Sequence, residues 1–234
     1  MAELYRDTAP LPPDAAYRVA WTAARPVTLL PGHDRAWKTA QRIAWGPTKY
    51  RTVFRALWNE DGLAIRFDAC DDRPWHTMKR PDDPIWEEEV VEIFLDPARL
   101  GCHYAEVEIN PVNVVTDLHI LEPHPRLKGD RAWNWSGLES TVVPGSCGGL
   151  TSGGWIALAW LPWKGLATMA EEVRPTVPPS AGDCWQFNVF RIKRPHGPSD
   201  PERDAVYAAW STPEGPSFHE PSAFRRLEFS PDKT

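Results

Sequence analysis

The sequence predicts an all-β fold, an antiparallel β-sandwich of about ten strands with little helix. Apolar and polar residues alternate with a period of two along most apolar segments, as in half-buried strands. The chain contains 25 prolines, which break helices and favour short strands joined by long connections. Strand-like runs follow one another without helical segments between them, which disfavours a parallel α/β fold.

A single domain is expected over residues 1–234, because all-β domains often reach this length. Its first part, residues 1–35, is expected to form a less regular N-terminal arm. The clearest local structure is a β-hairpin, in which segments 50–58 and 63–69 flank the turn-forming pair Asp61 and Gly62. Residues 164–172 alone look helical. The other strand-like runs are VVEIFLDP, HYAEVEINPVNVVTDLHI, GWIALAWLPW, CWQFNVFRIKR, VYAAWS and RRLEFS.

Charge and composition exclude several classes of protein. The net charge of −6 and the lack of a basic run argue against a nucleic-acid partner. No segment approaches the roughly 18–20 apolar residues of a membrane span. The segment MAELYRDTAPLPPD lacks the apolar core of a signal peptide, so the chain as written is expected in the cytoplasm, or as a secreted mature domain with the signal removed.

The four cysteines, Cys70, Cys102, Cys147 and Cys184, form no CxxC pair, so no zinc knuckle or redox motif is indicated. They are expected to be small buried hydrophobic residues, or to form a disulfide if the compartment is oxidising.

Polar side chains interrupt strands that are otherwise apolar. Glu92 lies in the middle of VVEIF, where a carboxylate is unfavourable unless a polar partner meets it. Asn110, Asn188 and Arg191 lie in other apolar strands. If these strands are neighbours, the polar groups line one sheet face, where they could bind sugar hydroxyls. Trp86, in a loop rich in proline and acids, could supply a ring that stacks on a pyranose. The alternative is that these groups satisfy one another inside the sandwich.

Enzymatic activity is not expected. The acids Glu87, Glu88 and Glu89, together with Glu92, could in principle supply a glycosidase pair. Consecutive acids in a loop are, however, usually a solvated surface. The sequence also lacks G-x-S-x-G, HExxH and P-loop motifs. Binding is therefore the expected activity.

The segment PIWEEEVVEIFLDP resembles carbohydrate-binding module family 9, whose fold belongs with the DOMON-like β-sandwiches. The resemblance covers about residues 50–230. It implies a protein that binds a terminal sugar or short glycan. The supporting segments occur in the family's order: ALWNEDGLAIRFDACDD, PIWEEEVVEIFLDP, YAEVEINP, GWIALAWLPW, QFNVFRI and AAWSTPEGPSFHEPSAFRRLEF.

The resemblance also implies a set of carbohydrate-binding residues. Family members hold a terminal sugar between two aromatic rings, and Trp86 and Phe218 match those positions. Glu92 matches the acidic residue of the VEIF strand, and Asn110 matches the Asn of the following strand. Arg191 is a further candidate for the floor of the pocket.

Two departures from the family pattern bear on specificity. Glu108 stands where the family has a sugar-contacting Arg, and Phe190 stands where a polar residue is expected. Specificity for the reducing ends of cellulose or xylan chains therefore does not follow from the resemblance.

The family resemblance is the only reason to expect a cofactor. Many relatives bind calcium, and Asp68, Asp71 and Asp72 are candidate ligands of a hard cation, although an exposed acidic turn is the alternative. Some DOMON-like relatives instead hold haem b between Met and His or Lys, and Met78 with His76 would be the candidates.

Haem-mediated electron transfer is therefore the alternative function, with Met169 in the short helical segment as a further methionine. A second alternative is a scaffold domain, either associated with a glycoside hydrolase or without any ligand.

Overall fold

The computed structural model describes residues 4–5, 11–23, 25, 34–145, 153–169, 177–197 and 204–233. It is mostly β-structure, with 11% of residues helical. Among the residues described, one α-helix, α1, spans Asp34–Thr39, and short 3₁₀ turns occur in several loops. The strands are β1 (Leu4–Tyr5), β2 (Ala16–Trp21), β3 (Ile43–Trp45), β4 (Thr52–Trp58), β5 (Gly62–Cys70), β6 (Val90–Asp96), β7 (Tyr104–Ile109), β8 (Val115–Glu122), β9 (Lys128–Asp130), β10 (Glu139–Pro144), β11 (Gly154–Pro162), β12 (Cys184–Lys193), β13 (Val206–Ala209) and β14 (Arg225–Lys233).

The strands form one curled sheet that folds over on itself as a sandwich. Its order is β10-β11-β5-β4-β2-β14-β12-β6-β7-β8-β9, with β1, β3 and β13 attached beside this path. The all-β fold class predicted from the sequence is confirmed. The count of about ten strands was low, because β1, β3, β9 and β10 are short or carry no clear alternation. Most pairs are antiparallel, but β2 pairs in parallel with both β4 and β14, and β1 pairs in parallel with β13.

The main hydrophobic core lies between the two halves of the sheet. Side chains from β6, β7 and β12 on one half meet side chains from β4, β5 and β11 on the other. The period-two alternation of side chains places Ala105, Val107 and Ile109 of β7 in this core. Four strand tryptophans, Trp58, Trp155, Trp160 and Trp185, are all at most 5% exposed.

Strand β2 lies inside the segment predicted as a less regular arm. Tyr17 and Val19 of β2 are fully buried, and the Tyr17 hydroxyl accepts a hydrogen bond from the Ala56 amide at 2.6 Å. The strand is short, and its parallel partners are remote in sequence, so no local pattern reveals its pairing.

The predicted hairpin of β4 and β5 is present. Asn59 closes the loop, because its Oδ1 accepts hydrogen bonds from the amides of Asp61 at 2.8 Å and Gly62 at 3.2 Å. A separate apolar cluster covers the outer face of the half of the sheet that contains β4, β5 and β11. In it, Trp37 of α1 packs near Leu57 and Leu158.

Cys70 is disulfide-bonded, whereas Cys102 and Cys184 carry free thiols. Cys147 lies outside the described residues. Within the described ranges, no helix has the length and apolarity that a membrane crossing needs.

A candidate pocket with aromatic walls and a carboxyl floor

The outer face of β13, β12, β6, β7, β8 and β9 carries a second hydrophobic layer and an open cavity. Antiparallel pairing aligns Phe190 of β12 with Glu92 of β6, and Glu92 with Glu108 of β7. Because paired residues share a face, these side chains point away from the main core. The cavity above them has a volume of about 420 Å³.

Aromatic side chains from separate segments line the cavity. Trp86 lies in the 3₁₀ turn Ile85–Glu87 directly before β6, and it is partly buried because its ring packs on the outer hydrophobic layer. Phe218 lies in the loop after β13, is 8% exposed, and stacks on Phe190 with ring centroids 4.3 Å apart. Tyr207 contacts Phe218 edge-on. Trp86 and Phe218, the two aromatic residues predicted for the site, therefore line one pocket.

Three carboxyl groups form a cluster at the floor of the pocket. Glu92 and Glu106 line the cavity, and Glu108 lies beside them on β7. One carboxyl oxygen from each lies within 4.8 Å of the other two. All three residues are at most 4% exposed. No hydrogen-bond partner among the described residues meets Glu92 Oε1. The carboxyl groups of Glu106 and Glu108 are hydrogen-bonded to each other.

Burial raises the pKa of all three carboxyl groups, because a charge loses its hydration there. The pKa of Glu106 is raised to about 7 by burial. Burial, and then the neighbouring charge of Glu106, raise the pKa values of Glu92 and Glu108 well above the ordinary range for Glu. The floor is therefore a proton-sharing acidic cluster rather than a set of three fixed charges.

A histidine borders the carboxyl cluster. His219 accepts or donates a hydrogen bond at 2.9 Å between its Nδ1 and the Tyr104 hydroxyl, and its ring stacks on Phe94. Its Nε2 lies 4.0 Å from Glu106 Oε2. Burial lowers the pKa of His219 to about 4, so the ring is neutral at pH 7 and offers no positive charge to the floor.

An arginine lies at the rim. The Arg131 guanidinium stacks over the Trp86 ring at 5.1 Å and donates a hydrogen bond at 2.8 Å to the Asp82 carbonyl. Arg131 itself is exposed, so its charge is largely screened by solvent.

Asn110, predicted to line the pocket, instead shapes the turn after β7. Its Oδ1 accepts hydrogen bonds from the amides of Val112 at 3.0 Å and Val114 at 2.9 Å. Its Nδ2 donates to the Met78 carbonyl at 3.4 Å. Asn110 therefore organises the loop and is not among the residues that line the cavity.

Arg191, the other predicted floor residue, lies on the opposite face of β12 from Phe190. Its guanidinium donates a hydrogen bond to Asp71 at 2.8 Å and stacks over the Trp155 ring at 4.9 Å. Next to it, Lys193 pairs with both Asp71 and Glu89. Arg191 therefore belongs to a buried ionic cluster at the end of the main core and does not line the pocket.

The expectation that Glu87–Glu89 form a solvated surface is wrong for two of the three residues. Glu87 is exposed, but Glu89 is fully buried against Lys193. Glu88 is 6% exposed and accepts hydrogen bonds from the amide of Thr77 at 2.9 Å and from its hydroxyl. Buried carboxylates need such partners, which a loop sequence alone does not reveal.

The three candidate calcium ligands each pair with cationic side chains. Asp68 binds Arg55 at 2.6 Å and also Arg66, and Asp72 binds Lys49 at 2.9 Å. Asp71 pairs with Arg191, as described above. Among the described residues, the group of acids that meets a metal-like spacing is instead the floor cluster.

The two methionines considered as haem ligands lie in different regions. Met169 is buried in the main core, whereas Met78 packs partly buried on the outer layer near Trp86. His76 is in the loop before Met78, and its Nδ1 is buried without a hydrogen-bond partner in the described part of the chain.

Most residues that line the pocket are not predicted from the sequence, among them Glu106, Arg131, Tyr207 and His219. Arg131 and Tyr207 lie in a loop and a short strand without a motif. The alternation of acids in YAEVEI was the available signal for Glu106, since every second residue of β7 shares the face of Glu108.

Fold comparison groups the chain with β-sandwich structures of carbohydrate-binding modules. A structure of a protein assigned a carbohydrate-binding role, from Bacteroides uniformis, superposes with a TM-score of 0.68 and 13% identity, over 92% of this chain and 99% of that one.

Two structures of a family 9 carbohydrate-binding module from Caldicellulosiruptor kristjanssonii superpose with TM-scores of 0.61. The one with cellotriose is 13% identical over 92% of this chain and 94% of its own. The one with glucose is 14% identical over 92% and 96%. This chain therefore has a fold like that of family 9 modules.

In sequence, no protein-family model matches the chain. One relative, described as an extracellular protein of Arthroderma benhamiae, is 25% identical over 186 residues. These residues cover 76% of this chain and 78% of the relative.

Proposed function

We propose that this protein binds a terminal sugar or short glycan in the pocket between Trp86 and Phe218. The observation that carries the proposal is the convergence of two aromatic rings and the Glu92 carboxyl on one cavity of about 420 Å³. This volume falls within the range of about 300–1,000 Å³ typical of small-molecule sites. Aromatic rings match the apolar face of a pyranose, and carboxyl groups accept hydrogen bonds from its hydroxyls.

The fold supports the proposal. Structures with this fold have been solved in complex with cellotriose and with glucose. The proposal extends that ligand class to this chain on the strength of its own pocket. Membership of the wider DOMON-like superfamily belongs to the same proposal.

Binding is expected to be weak. Each aromatic stack contributes roughly 0.5–1.5 kcal/mol beyond burial, and each hydrogen bond to a charged group contributes about 1.5–3 kcal/mol. Association costs an estimated ~4–15 kcal/mol. Two stacks and a few hydrogen bonds therefore support dissociation constants between micromolar and millimolar.

The arrangement favours binding over hydrolysis. A glycosidase needs two carboxyl groups that flank the scissile bond. Here Glu92 and Glu108 are direct cross-strand partners on one floor, and Glu106 lies on the same side. A sugar above them would meet all three carboxyls from one face.

A location outside the cytoplasm is also proposed, with the chain acting as an accessory to glycoside hydrolases. The disulfide at Cys70 supports an oxidising compartment, and the Arthroderma benhamiae relative is described as extracellular. Thiol alkylation of the protein from its native source checks this point. Cys70 should react only after reduction, and a freely reactive Cys70 would contradict it.

Tryptophan fluorescence titration tests the proposed function. A panel of monosaccharides and short oligosaccharides should quench or shift the emission in a saturable manner. Trp86→Ala should abolish this response. Trp21→Phe is the control, because Trp21 is also partly exposed but does not line the pocket. Its indole N–H donates a hydrogen bond to Glu60 in the other half of the sheet. An unaltered titration in Trp86→Ala, or no saturable response with any sugar, would overturn the proposal.

A further inference from the structure

We propose that the sugar bound in this pocket carries a protonated amine, which sits on the floor formed by Glu92, Glu106 and Glu108. The inference rests on the proposed function and narrows its ligand to amino sugars and their oligomers.

The first support is the unmet hydrogen-bonding capacity of the floor. Glu92 is 2% exposed, lines the cavity, and has one oxygen without a partner in the described ranges. Glu108 is fully buried beside it, shares a hydrogen bond with Glu106, and does not itself line the cavity. Buried carboxyl oxygens left unpaired are costly. A donor from the ligand is the group that would satisfy them.

The second support is the arrangement of like charges. Glu92 and Glu108 oppose each other directly across β6 and β7, a pairing that destabilises a sheet when both are ionised. Glu106 precedes Glu108 by two residues in β7, so its side chain lies on the same face of the strand. An ammonium group has three donors and one positive charge, so it can bridge three acceptors whose oxygens lie within 4.8 Å of one another.

The charged groups around the floor do not replace such a cation. His219 is neutral at pH 7 and its Nδ1 is engaged with Tyr104. The exposed Arg131 side chain stacks on Trp86 at the rim, and its hydrogen bond goes to the Asp82 carbonyl. Its charge lowers the pKa of Glu108, but this influence is smaller than those of burial and of the two neighbouring carboxyls.

The walls favour an organic cation over a bare metal ion. Trp86, Tyr207 and Phe218 present aromatic rings to the cavity, and aromatic faces attract ammonium groups. A cavity of about 420 Å³ is also far larger than a single ion fills. The pyranose ring of an amino sugar would contact the aromatic walls, and its ammonium group would contact the floor carboxyls.

Binding of the cation must be linked to protons. Burial keeps protons on the floor carboxyls in the free protein, as their raised pKa values show. A bound ammonium stabilises the ionised forms, so the complex should release protons at pH 6 to 7. A neutral sugar has no such effect.

Isothermal titration with glucosamine, glucose and N-acetylglucosamine tests the inference. These sugars differ at one position, which carries an amine, a hydroxyl or an uncharged amide. Glucosamine should bind about tenfold tighter than glucose, because charged hydrogen bonds are stronger than neutral ones. Its heat should vary with the ionisation enthalpy of the buffer, reporting proton release. Chitosan oligomers should show the same preference over cello-oligomers.

Variants and controls separate the outcomes. Glu92→Gln should erase the preference for glucosamine, because Glu92 lines the cavity with an unpaired carboxyl oxygen. Glu87→Gln, at an exposed position of the preceding turn, should retain the preference. Equal affinities for glucosamine and glucose would overturn the inference while leaving the proposed function intact. No binding of any sugar would overturn both. Sugar binding that requires added Ca²⁺ and is lost in a chelator would show that the floor holds a metal ion, and would also overturn the inference.

Discussion

Replacing Glu106 by Gln should stabilise the unliganded protein at pH 8 and change its stability little at pH 5. Glu106 is 4% exposed, and its folded pKa is raised from 4.5 to about 7. A raised carboxyl pKa means that the folded state binds more protons than the unfolded state between these values. The stability from this group is therefore complete below pH 4.5 and is lost as the pH rises towards 7.

The magnitude follows from the size of the shift. One pKa unit corresponds to about 1.4 kcal/mol, so ionising Glu106 in the fold costs about 3 kcal/mol, of which about 2–3 kcal/mol is lost between pH 5 and 8. For a chain of this length, each kcal/mol shifts Tm by about 2–4 °C. The Tm of Glu106→Gln should exceed that of the wild type by roughly 4–12 °C at pH 8.

Thermal unfolding followed by circular dichroism at half-unit steps from pH 5 to pH 8 measures this difference. Glu87→Gln is the control, because an exposed substitution changes stability little and should track the wild type. If the Tm values of Glu106→Gln and the wild type change in parallel with pH across this range, ionisation of Glu106 does not destabilise the folded protein as proposed.

Three further substitutions test the packing and the pocket. Lys193→Met should lower the free energy of unfolding in urea by about 3–5 kcal/mol, because the buried Asp71 carboxylate, 2.8 Å from Lys193 Nζ, loses one of its cationic partners. An unchanged urea midpoint would show that the buried ionic cluster does not stabilise the fold. Gly165→Ala should destabilise by about 1–3 kcal/mol, since a Cβ there would lie 2.1 Å from the Trp135 ring; a neutral result would show that this turn moves freely. Phe218→Ala should weaken sugar binding at least tenfold and lower Tm by several degrees, as its ring is 8% exposed; unchanged affinity in titration would place the ligand elsewhere.

The fold was predictable because its main strands are regular and local. The alternation in β5, β6, β7 and β11 fixes which residues face the core, and the Asp61 and Gly62 turn fixes one hairpin. The central position of β2 could not be predicted, because it pairs in parallel with strands far away in sequence. A period-two pattern shows which face of a strand is buried, but not which other strand pairs with it.

The candidate site was predictable where local composition and strand position agree. Trp86 was selected from its loop composition and Glu92 from its position within a strand, whereas Phe218 was implied only by the family resemblance. The fold brings all three to one cavity. Arg191 was misplaced because the sequence does not give the register between β6 and β12. Once Phe190 pairs with Glu92, the next residue must face the other side.

Asn110 shows a different limit. An Asn followed by Pro commonly caps a turn with its side-chain oxygen, and this is what Asn110 does for Val112 and Val114. Its strand-end position made it look like part of the sheet face. The local turn chemistry was the stronger signal.

The central claim is that the pocket between Trp86 and Phe218 is the ligand site. Heteronuclear NMR of the tryptophan indole N–H groups during a glucosamine or chitosan-oligomer titration tests it most directly. The Trp86 indole should shift progressively to saturation, while the indoles of Trp58 and Trp185, buried in the main core, should not move. Shifts that spare Trp86 and concentrate on other tryptophans would contradict the claim.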